Sequence, residues 1–226
     1  MTTLMKQSPP FSDAERAAVY RVIGERRDVR RGFLDLPLPE SLLHRLLAAA
    51  HSAPSVGLMQ PSRFIIIRDA AVRRAVHSIF KKSNVQATES YASERREQYA
   101  DLKLEGILEA PQNLCVLCDS SSERGHGLGR QTMPETALYS TVCAIQNLWL
   151  AARSEGVGVG WVSILDPEKL REVLHVPSHL TIVAYLCLGY VEGFAAEPDL
   201  ERYGWERRVA LETTVSYDRY TGAGES

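Results

Sequence analysis

Residues 134–163 read PETALYSTVCAIQNLWLAARSEGVGVGWVS, and this stretch decides the fold class. Its first part, Pro134 to Glu155, predicts a long, mostly apolar helix with Gly156 as its C-cap. The breadth of its apolar surface indicates burial on several sides, in a core or a subunit interface. Its second part, Val157 to Ile164, predicts a strand with glycines at alternate positions.

Helices and strands are mixed on both sides of this stretch. Ser12-Asp13-Ala14-Glu15 has capping-box spacing and opens a helix that runs to about Arg26. Further helices are predicted from Pro39, with Leu42, Leu43, Leu46 and Leu47 buried, and from Asp166-Pro167 until just before Pro177; further strands are predicted at Arg63–Arg68, Asn113–Asp119 and Thr181–Val191. Since no strict βα repeat appears, we expect an α+β fold with a mixed or antiparallel sheet flanked by helices.

Length and composition limit the domain count and the class of protein. A chain of 226 residues with 45% hydrophobic residues predicts one domain over 12–226, preceded by a flexible arm at 1–11. Residues 70–106 are polar and helical, and we interpret them as a lid or excursion. A net charge of −2 argues against a nucleic-acid partner. With no apolar leader at Met1 to Pro10 and no membrane-spanning run, we expect a soluble, cytoplasmic protein with no membrane partner.

The cysteines and histidines do not predict a metal site. Cys115 and Cys118 form a C-x-x-C, but residues three apart in a buried strand point to opposite faces. No second pair completes a zinc site, and the six histidines are scattered. Cys143 and Cys187 lie in apolar runs and are predicted to be core residues.

The sequence Arg26-Arg27-Asp28-Val29-Arg30 places three guanidinium groups around one carboxylate. Guanidinium groups suit a phosphate, because each donates two parallel hydrogen bonds. A carboxylate has no use in a pure phosphate clamp, so Asp28 either moderates repulsion or takes part in chemistry. The ordinary interpretation of such a cluster is a solvated surface, where ion pairs contribute little.

Four other segments carry groups that suit ligand binding. Ala53 to Pro61 is a rigid loop with a hydroxyl and an amide, although it also suits an ordinary turn. The alternate glycines of Gly156 to Ser163 let a flat ligand or another backbone approach closely, but their spacing is not a dinucleotide fingerprint. Leu102 to Gly106 precedes a turn at Ala110-Pro111. Trp205-Glu206-Arg207-Arg208 is either a phosphate contact or a solvated basic pair.

Taken in this order, the segments resemble the FMN-dependent nitroreductase superfamily over nearly the whole chain. The resemblance is closer to its flavin-destructase branch, because general nitroreductases usually carry a small polar residue where Asp28 stands. The stretches that favour this branch are Arg26–Arg30, Ala53–Pro61, Leu102–Gly106, Leu138–Ala144 and Gly156–Ser163.

The resemblance implies an intertwined homodimer of nitroreductase-like fold, with FMN bound between the subunits. The implied reaction is oxygen-dependent fragmentation of reduced FMN to 5,6-dimethylbenzimidazole, the lower ligand of vitamin B12, and erythrose 4-phosphate. Reduced FMN and molecular oxygen are then substrates. A separate flavin reductase supplies the reduced FMN, so that NAD(P)H acts only indirectly.

The resemblance also implies roles for particular residues. Asp28 and Ser163 match the catalytic positions of the branch. The implied flavin-binding residues are Arg26, Arg27, Asp28, Arg30, Ser55, Met59, Gln60, Leu104, Ser163 and Arg208, with Ser55 reaching FMN from the partner subunit. From charge alone, the surrounding arginines should lower the pKa of Asp28.

Two other functions use the same fold. One is an NAD(P)H-dependent nitroreductase or quinone reductase, which needs an open flavin face for nicotinamide. The other is a non-catalytic FMN carrier, which needs the arginines but neither Asp28 nor Ser163.

Overall fold

The computed structural model describes residues 9–222. Within this range the helices are α1 (Asp13–Glu25), α2 (Glu40–His51), α3 (Ala70–Glu89), α4 (Ser93–Ala100), α5 (Thr136–Ser154), α6 (Pro167–Leu174) and α7 (Asp199–Arg202). The strands are β1 (Ser62–Ile67), β2 (Gln112–Cys118), β3 (Val157–Val162) and β4 (Thr181–Tyr190). The predicted flexible arm lies mostly at residues 1–8, outside the described residues.

The four strands form one sheet in the order β1-β2-β4-β3, and every neighbouring pair is antiparallel. The predicted α+β fold is therefore confirmed, with the antiparallel arrangement. β2 and β4 are central, and all seven residues of β2 are buried. β1 and β3 are the edges of the sheet within residues 9–222.

Helices cover both faces of the sheet. Side chains of α2 and α5, such as Leu46 and Leu148, pack with Leu186 on one face. Val76 of α3 and Leu170 of α6 pack with Tyr185 on the other. The neighbours Tyr185 and Leu186 belong to different cores because successive strand residues point to opposite faces.

The alternate glycines of β3 make room for the backbone that follows α1. Asp28 bridges Val159 in a parallel sense, and the Val29 N–H donates to the Val159 carbonyl at 2.9 Å. A Cβ at Gly160 would overlap the Val29 carbonyl oxygen, and one at Gly158 would lie 2.6 Å from the Val191 Cγ1 and 3.2 Å from the Val29 Cγ1. Gly160 therefore admits another backbone, and Gly158 admits the side chains of Val29 and Val191, so neither glycine leaves space for a flat ligand.

The cysteines follow the sequence predictions with one exception. Cys115 and Cys118 are buried in separate clusters, and Cys187 is buried with Cys115. Cys143 is exposed, so its prediction as a core residue was wrong; it lies on a face of α5 that no other part of residues 9–222 covers. No group of three or more His, Cys, Asp or Glu side chains suited to a metal occurs in residues 9–222.

The 70–106 segment comprises α3, α4 and an extended stretch. α3 buries Val76, Ile79 and Phe80, whereas α4 buries only Tyr99. α4 is therefore the more superficial part, and its role as a lid stays a prediction. None of the helices in the described part of the chain has the length and apolar character to cross a membrane.

Candidate active site

The arginine cluster lies where α1 ends and the chain turns onto the edge of β3. Arg26 is the C-cap of α1, and its guanidinium carbon lies 4.9 Å from the centre of the Trp149 ring on α5. Arg27 donates to the carbonyl oxygens of Gly24, at 2.8 Å, and of Ala196. The cluster is thus fixed to α5 and to the segment that precedes α7.

Arg208 joins this cluster from the far end of the chain. A cavity of about 140 Å³ is lined by Arg26, Arg27, Asp28, Arg30, Pro198, Asp199, Leu200 and Arg208. Four guanidinium groups face two carboxylates here, so positive charge is in excess. The expectation that Arg208 belongs with the N-terminal arginines fits this placement.

Asp28 is held at both carboxylate oxygens. Its Oδ1 accepts a hydrogen bond from the Trp161 N–H at 3.0 Å, and its Oδ2 forms an ion pair with Arg30. The carboxylate thereby takes the place of a strand partner at the open edge of β3. Gly160 is needed at this contact, because a side chain there would push the Asp28–Val29 backbone away.

The pKa of Asp28 is raised, which contradicts the expectation from charge alone. Burial is the largest cause; Arg30, the Trp161 N–H and Arg26 act in the opposite direction but do not outweigh it. The side chain is still 32% exposed, so the carboxylate can be reached by a ligand. Arginines alone would lower the pKa, but the segments that pack around Asp28 remove water from the charged form.

Two unpaired donors show that this site suits an anion. Within the described residues, the Nε atoms of Arg27 and Arg30 are buried and have no hydrogen-bond partner. A buried donor without an acceptor costs free energy, which a ligand oxygen or a water would recover. Together with the excess of guanidinium groups, these donors fit the phosphate or carbonyl oxygens of FMN.

A second cavity shares the wall that carries Asp28. It has a volume of about 320 Å³ and lies between residues 27–32 and the stretch from Glu192 to Arg202. Arg27, Asp28 and Arg30 line both cavities. Asp28 is therefore accessible from two sides, with room beside it for more than a phosphate group.

Ser55 and Gln60 lie elsewhere in the chain, in a loop held by α5. The Ser55 Oγ accepts from the Gln60 N–H at 3.1 Å, and the Val56 N–H donates to the Ser140 Oγ at 3.0 Å. Leu58 and Gln60 both have positive φ, of 55° and 49°. Such strain in residues other than glycine is concentrated at functional sites. Neither Ser55 nor Gln60 lines an arginine cavity of its own chain.

Met59 and Leu104 are less available than the resemblance implies. Met59 is only 1% exposed and packs with Cys118 and Ala137, so its side chain does not line a ligand pocket in this structure. Its predicted position in the ring pocket is not found within one chain, because the loop turns the side chain into the core. Leu104 is partly buried and packs against the core formed by α3 and α6.

Ser163 follows β3, the strand that holds Asp28. It is exposed and stands two residues after Trp161, whose N–H donates to Asp28. Ser163 does not line the two arginine cavities described above, so its place beside Asp28 stays a prediction. The sequence missed the supporting roles of Trp149 and the Trp161 N–H, since nothing in their local pattern shows that they meet residues 26–28.

The fold and site belong to a known class. The family model described as "Nitroreductase family" matches residues 23–190, which includes the arginine cluster, the Ser55 loop and β3. The chain therefore belongs to the nitroreductase family.

Within this family, the chain is similar to proteins named 5,6-dimethylbenzimidazole synthase. It is 47% identical over 204 residues to the one from Rhodospirillum rubrum, covering 90% of this chain and 96% of the relative. It is 42% identical over 202 residues to one from Rhodobacter capsulatus, covering 89% and 97%. A protein of Thermus thermophilus named NADH dehydrogenase is 31% identical, covering 82% of this chain and 90% of the relative.

A solved structure shares the fold. Oxidised iodotyrosine deiodinase bound to FMN and 3-iodo-L-tyrosine superposes with a TM-score of 0.71 at 22% identity, covering 89% of this chain and all of that one. At this identity the likeness shows the fold alone.

Proposed function

We propose that this chain catalyses the oxygen-dependent fragmentation of reduced FMN to 5,6-dimethylbenzimidazole and erythrose 4-phosphate. The observation that carries the proposal is the Asp28 carboxylate, which stands in an arginine-lined cavity with a raised pKa and is still accessible. The names of the relatives from Rhodospirillum rubrum and Rhodobacter capsulatus support the same reaction.

The arginines bind and orient the substrate in this proposal. Arg26, Arg30 and Arg208 offer charged donors to the phosphate and to the carbonyl oxygens of the ring, and the free Nε atoms of Arg27 and Arg30 add two more. Positive charge near the ring also favours the anionic form of reduced flavin. The flavin itself supplies the electrons that reduce molecular oxygen.

Asp28 moves the proton that the fragmentation requires. Erythrose 4-phosphate carries four of the five ribityl carbons, so the C1′–C2′ bond breaks and C1′ stays with the ring fragment. A base is needed to remove a proton at C1′, and a carboxylate with a raised pKa is a stronger base than a free aspartate. The Trp161 N–H and Arg30 hold its two oxygens and so fix its direction. In this proposal the Ser163 hydroxyl lies at the ring edge and steers the oxygen chemistry toward cleavage.

The proposal includes a homodimer with FMN at the subunit interface. α1 has no buried residue, and its Val19, Tyr20 and Ile23 are all exposed. Tyr139 and Val142 of α5 are exposed as well. In this proposal a second subunit covers these apolar residues and brings its own Ser55 and Gln60 loop to the site. We further propose a cytoplasmic location and a separate flavin reductase as the source of reduced FMN.

A nitroreductase function is the second proposal, and the Thermus thermophilus relative named NADH dehydrogenase is the observation that favours it. It uses the same arginine clamp but gives no task to Asp28. An FMN carrier would likewise not need the carboxylate.

One experiment separates these functions. The purified protein is mixed with chemically reduced FMN in air, and the products are analysed by chromatography and mass spectrometry. We expect 5,6-dimethylbenzimidazole and erythrose 4-phosphate in equal amounts. Oxidised FMN as the sole product would contradict the proposal and favour the carrier. NADH consumption with a nitroaromatic, without dimethylbenzimidazole, would favour the reductase.

A further inference from the structure

We infer that Trp205 is a positioning residue, which attaches the Arg208 segment to α4 and so couples the docking of α4 to binding of the flavin phosphate. This inference rests on the proposed function, because it takes FMN as the ligand of Arg208. It gives a role to three aromatic residues that do not line the arginine cavity: Tyr91, Tyr99 and Trp205.

Trp205 is surrounded by residues of the 70–106 segment. Its ring centre lies 5.4 Å from that of Tyr91 and 6.0 Å from that of Tyr99, both in edge-on geometry. The Arg95 guanidinium lies 4.8 Å from the centre of the Trp205 ring, and Arg95 also donates to the Trp205 carbonyl at 3.0 Å. We call these four residues the aromatic latch.

The latch fixes a stretch that otherwise has few contacts. Trp205 stands three residues before Arg208, and its N–H donates to the Leu200 carbonyl at 2.8 Å, which closes the turn after α7. The Arg208 N–H then donates to Glu201 at 2.9 Å. Most residues from 206 to 222 are exposed, so their own packing does little to hold the Arg208 guanidinium in the cavity.

The coupling follows from the way α4 is attached. α4 buries only Tyr99, a member of the latch, so the contacts that hold α4 are in part the contacts that hold Arg208. A phosphate bound by Arg208 therefore stabilises the same arrangement that keeps α4 in place. Long side chains such as arginine lose rotamer freedom on binding, and a segment fixed in advance reduces that loss.

The test is a double-mutant cycle between Trp205→Ala and Arg208→Ala, with affinity measured by anaerobic calorimetry. The ligands are reduced FMN and reduced riboflavin, which lacks the phosphate. We expect Trp205→Ala to weaken FMN binding by about tenfold, the scale of one charge-assisted contact, and riboflavin binding by less than about twofold. With Arg208→Ala already present, Trp205→Ala should change FMN affinity by less than about twofold.

A matched control lies on the same helix. Arg95→Ala removes the contact with Trp205 and should weaken FMN binding in the same way. Glu97, which is exposed on α4 and is not part of the latch, should tolerate alanine. Trp205→Phe should keep most of the affinity, which guards against a misfolded alanine variant.

Two results would overturn the inference: equal losses from Trp205→Ala with and without Arg208, or equal losses for FMN and riboflavin. The outcome is distinguishable from failure of the proposed reaction. Coupling between Trp205 and Arg208 in a protein that forms no dimethylbenzimidazole would support this inference and contradict only the proposed function. A protein that binds neither flavin would overturn both.

Discussion

Asp28 shows how burial and charge compete at a single carboxylate. Three arginines within two residues would lower its pKa, and Arg26 and Arg30 do act in that direction. The Trp161 N–H, which lies more than 130 residues away in the chain, acts in that direction as well, but burial outweighs all three and raises the pKa overall. The sequence singled out the residue, but the direction of its pKa shift depends on contacts that no local pattern contains.

The raised pKa predicts that Asp28→Asn stabilises the folded protein at neutral pH. The folded state binds the Asp28 proton more tightly than the unfolded state does, so ionisation of Asp28 costs stability as pH rises from the unfolded pKa through the folded one. Below the unfolded pKa, near about 3.9, that cost is absent. Asparagine resembles the neutral acid, so the variant does not lose this stability as pH rises.

Thermal unfolding without flavin, followed between about pH 4 and pH 8, checks this prediction. The Tm of Asp28→Asn should exceed that of the wild type at the upper end, and the difference should shrink toward the lower end. A variant that is less stable at pH 8, with the gap closing on acidification, would mean that the ion pair with Arg30 outweighs burial.

Ser163 is the second single residue with a proposed role in the reaction. It is exposed and lies just past the end of β3. We expect Ser163→Gly to keep the affinity for reduced FMN but to lower the yield of dimethylbenzimidazole severalfold in favour of simple flavin oxidation. Product yield per FMN consumed is the quantity to measure. The exposed Ser178 supplies a control, and Ser178→Gly should give the wild-type yield. An unchanged yield from Ser163→Gly would remove this residue from the mechanism.

At the scale of elements, β3 places the site because its glycines admit residues 28 and 29. Gly160→Ala puts a Cβ into the Val29 carbonyl, which must move and take Asp28 with it. We expect a loss of stability of about 3 kcal/mol, at the upper end of overpacking costs, together with loss of product formation. Denaturant unfolding and the product assay measure the two effects.

Gly24→Ala is the matched control for this substitution. Gly24 lies near the end of α1, and a Cβ there meets nothing within 4 Å. Alanine should raise stability by up to about 1 kcal/mol, because it suits a helix better than glycine. If Gly160→Ala were equally well tolerated, the close backbone approach would not be what the glycine provides.

The elements were largely predictable, and their arrangement was not. The strand predicted at Asn113–Asp119 is found at Gln112–Cys118, and the helix predicted from Pro134 is found at Thr136–Ser154. Local periodicity and capping residues determine such bounds. The order β1-β2-β4-β3 depends on pairing between distant strands. For the same reason the sequence left open whether the β3 glycines admit a ligand or a backbone.

At the scale of the whole molecule, the residues that the resemblance assigns to the flavin site fall into two groups. The N-terminal arginines, Asp28 and Arg208 line one cavity, whereas Ser55 and Gln60 line another. Cys143 on α5 and the apolar side chains Val19, Tyr20 and Ile23 of α1 are likewise exposed within residues 9–222. A sequence pattern shows that a surface is apolar, but it does not show whether the same chain covers it.

If two subunits pack against each other through α1, a charged side chain on α1 should dissociate the homodimer. Ile23→Glu should convert a species of about twice the 25.2 kDa chain mass into one of single mass, because a buried carboxylate without a partner is costly. Sedimentation velocity measures this, with Leu36→Glu, another exposed apolar side chain, as the control. A wild-type protein that sediments as a monomer at all concentrations would contradict the dimer.

In the proposed mechanism, Asp28 turns a flavin-binding fold into an enzyme that breaks flavin down. This role of Asp28 is tested most directly by incubating wild-type protein and Asp28→Asn with equal amounts of reduced FMN in air and quantifying dimethylbenzimidazole per FMN consumed. We expect product from the wild type, and at least about 100-fold less from the variant, the lower end of general-base contributions, with FMN affinity preserved. Dimethylbenzimidazole formed by Asp28→Asn at the wild-type rate would contradict the account.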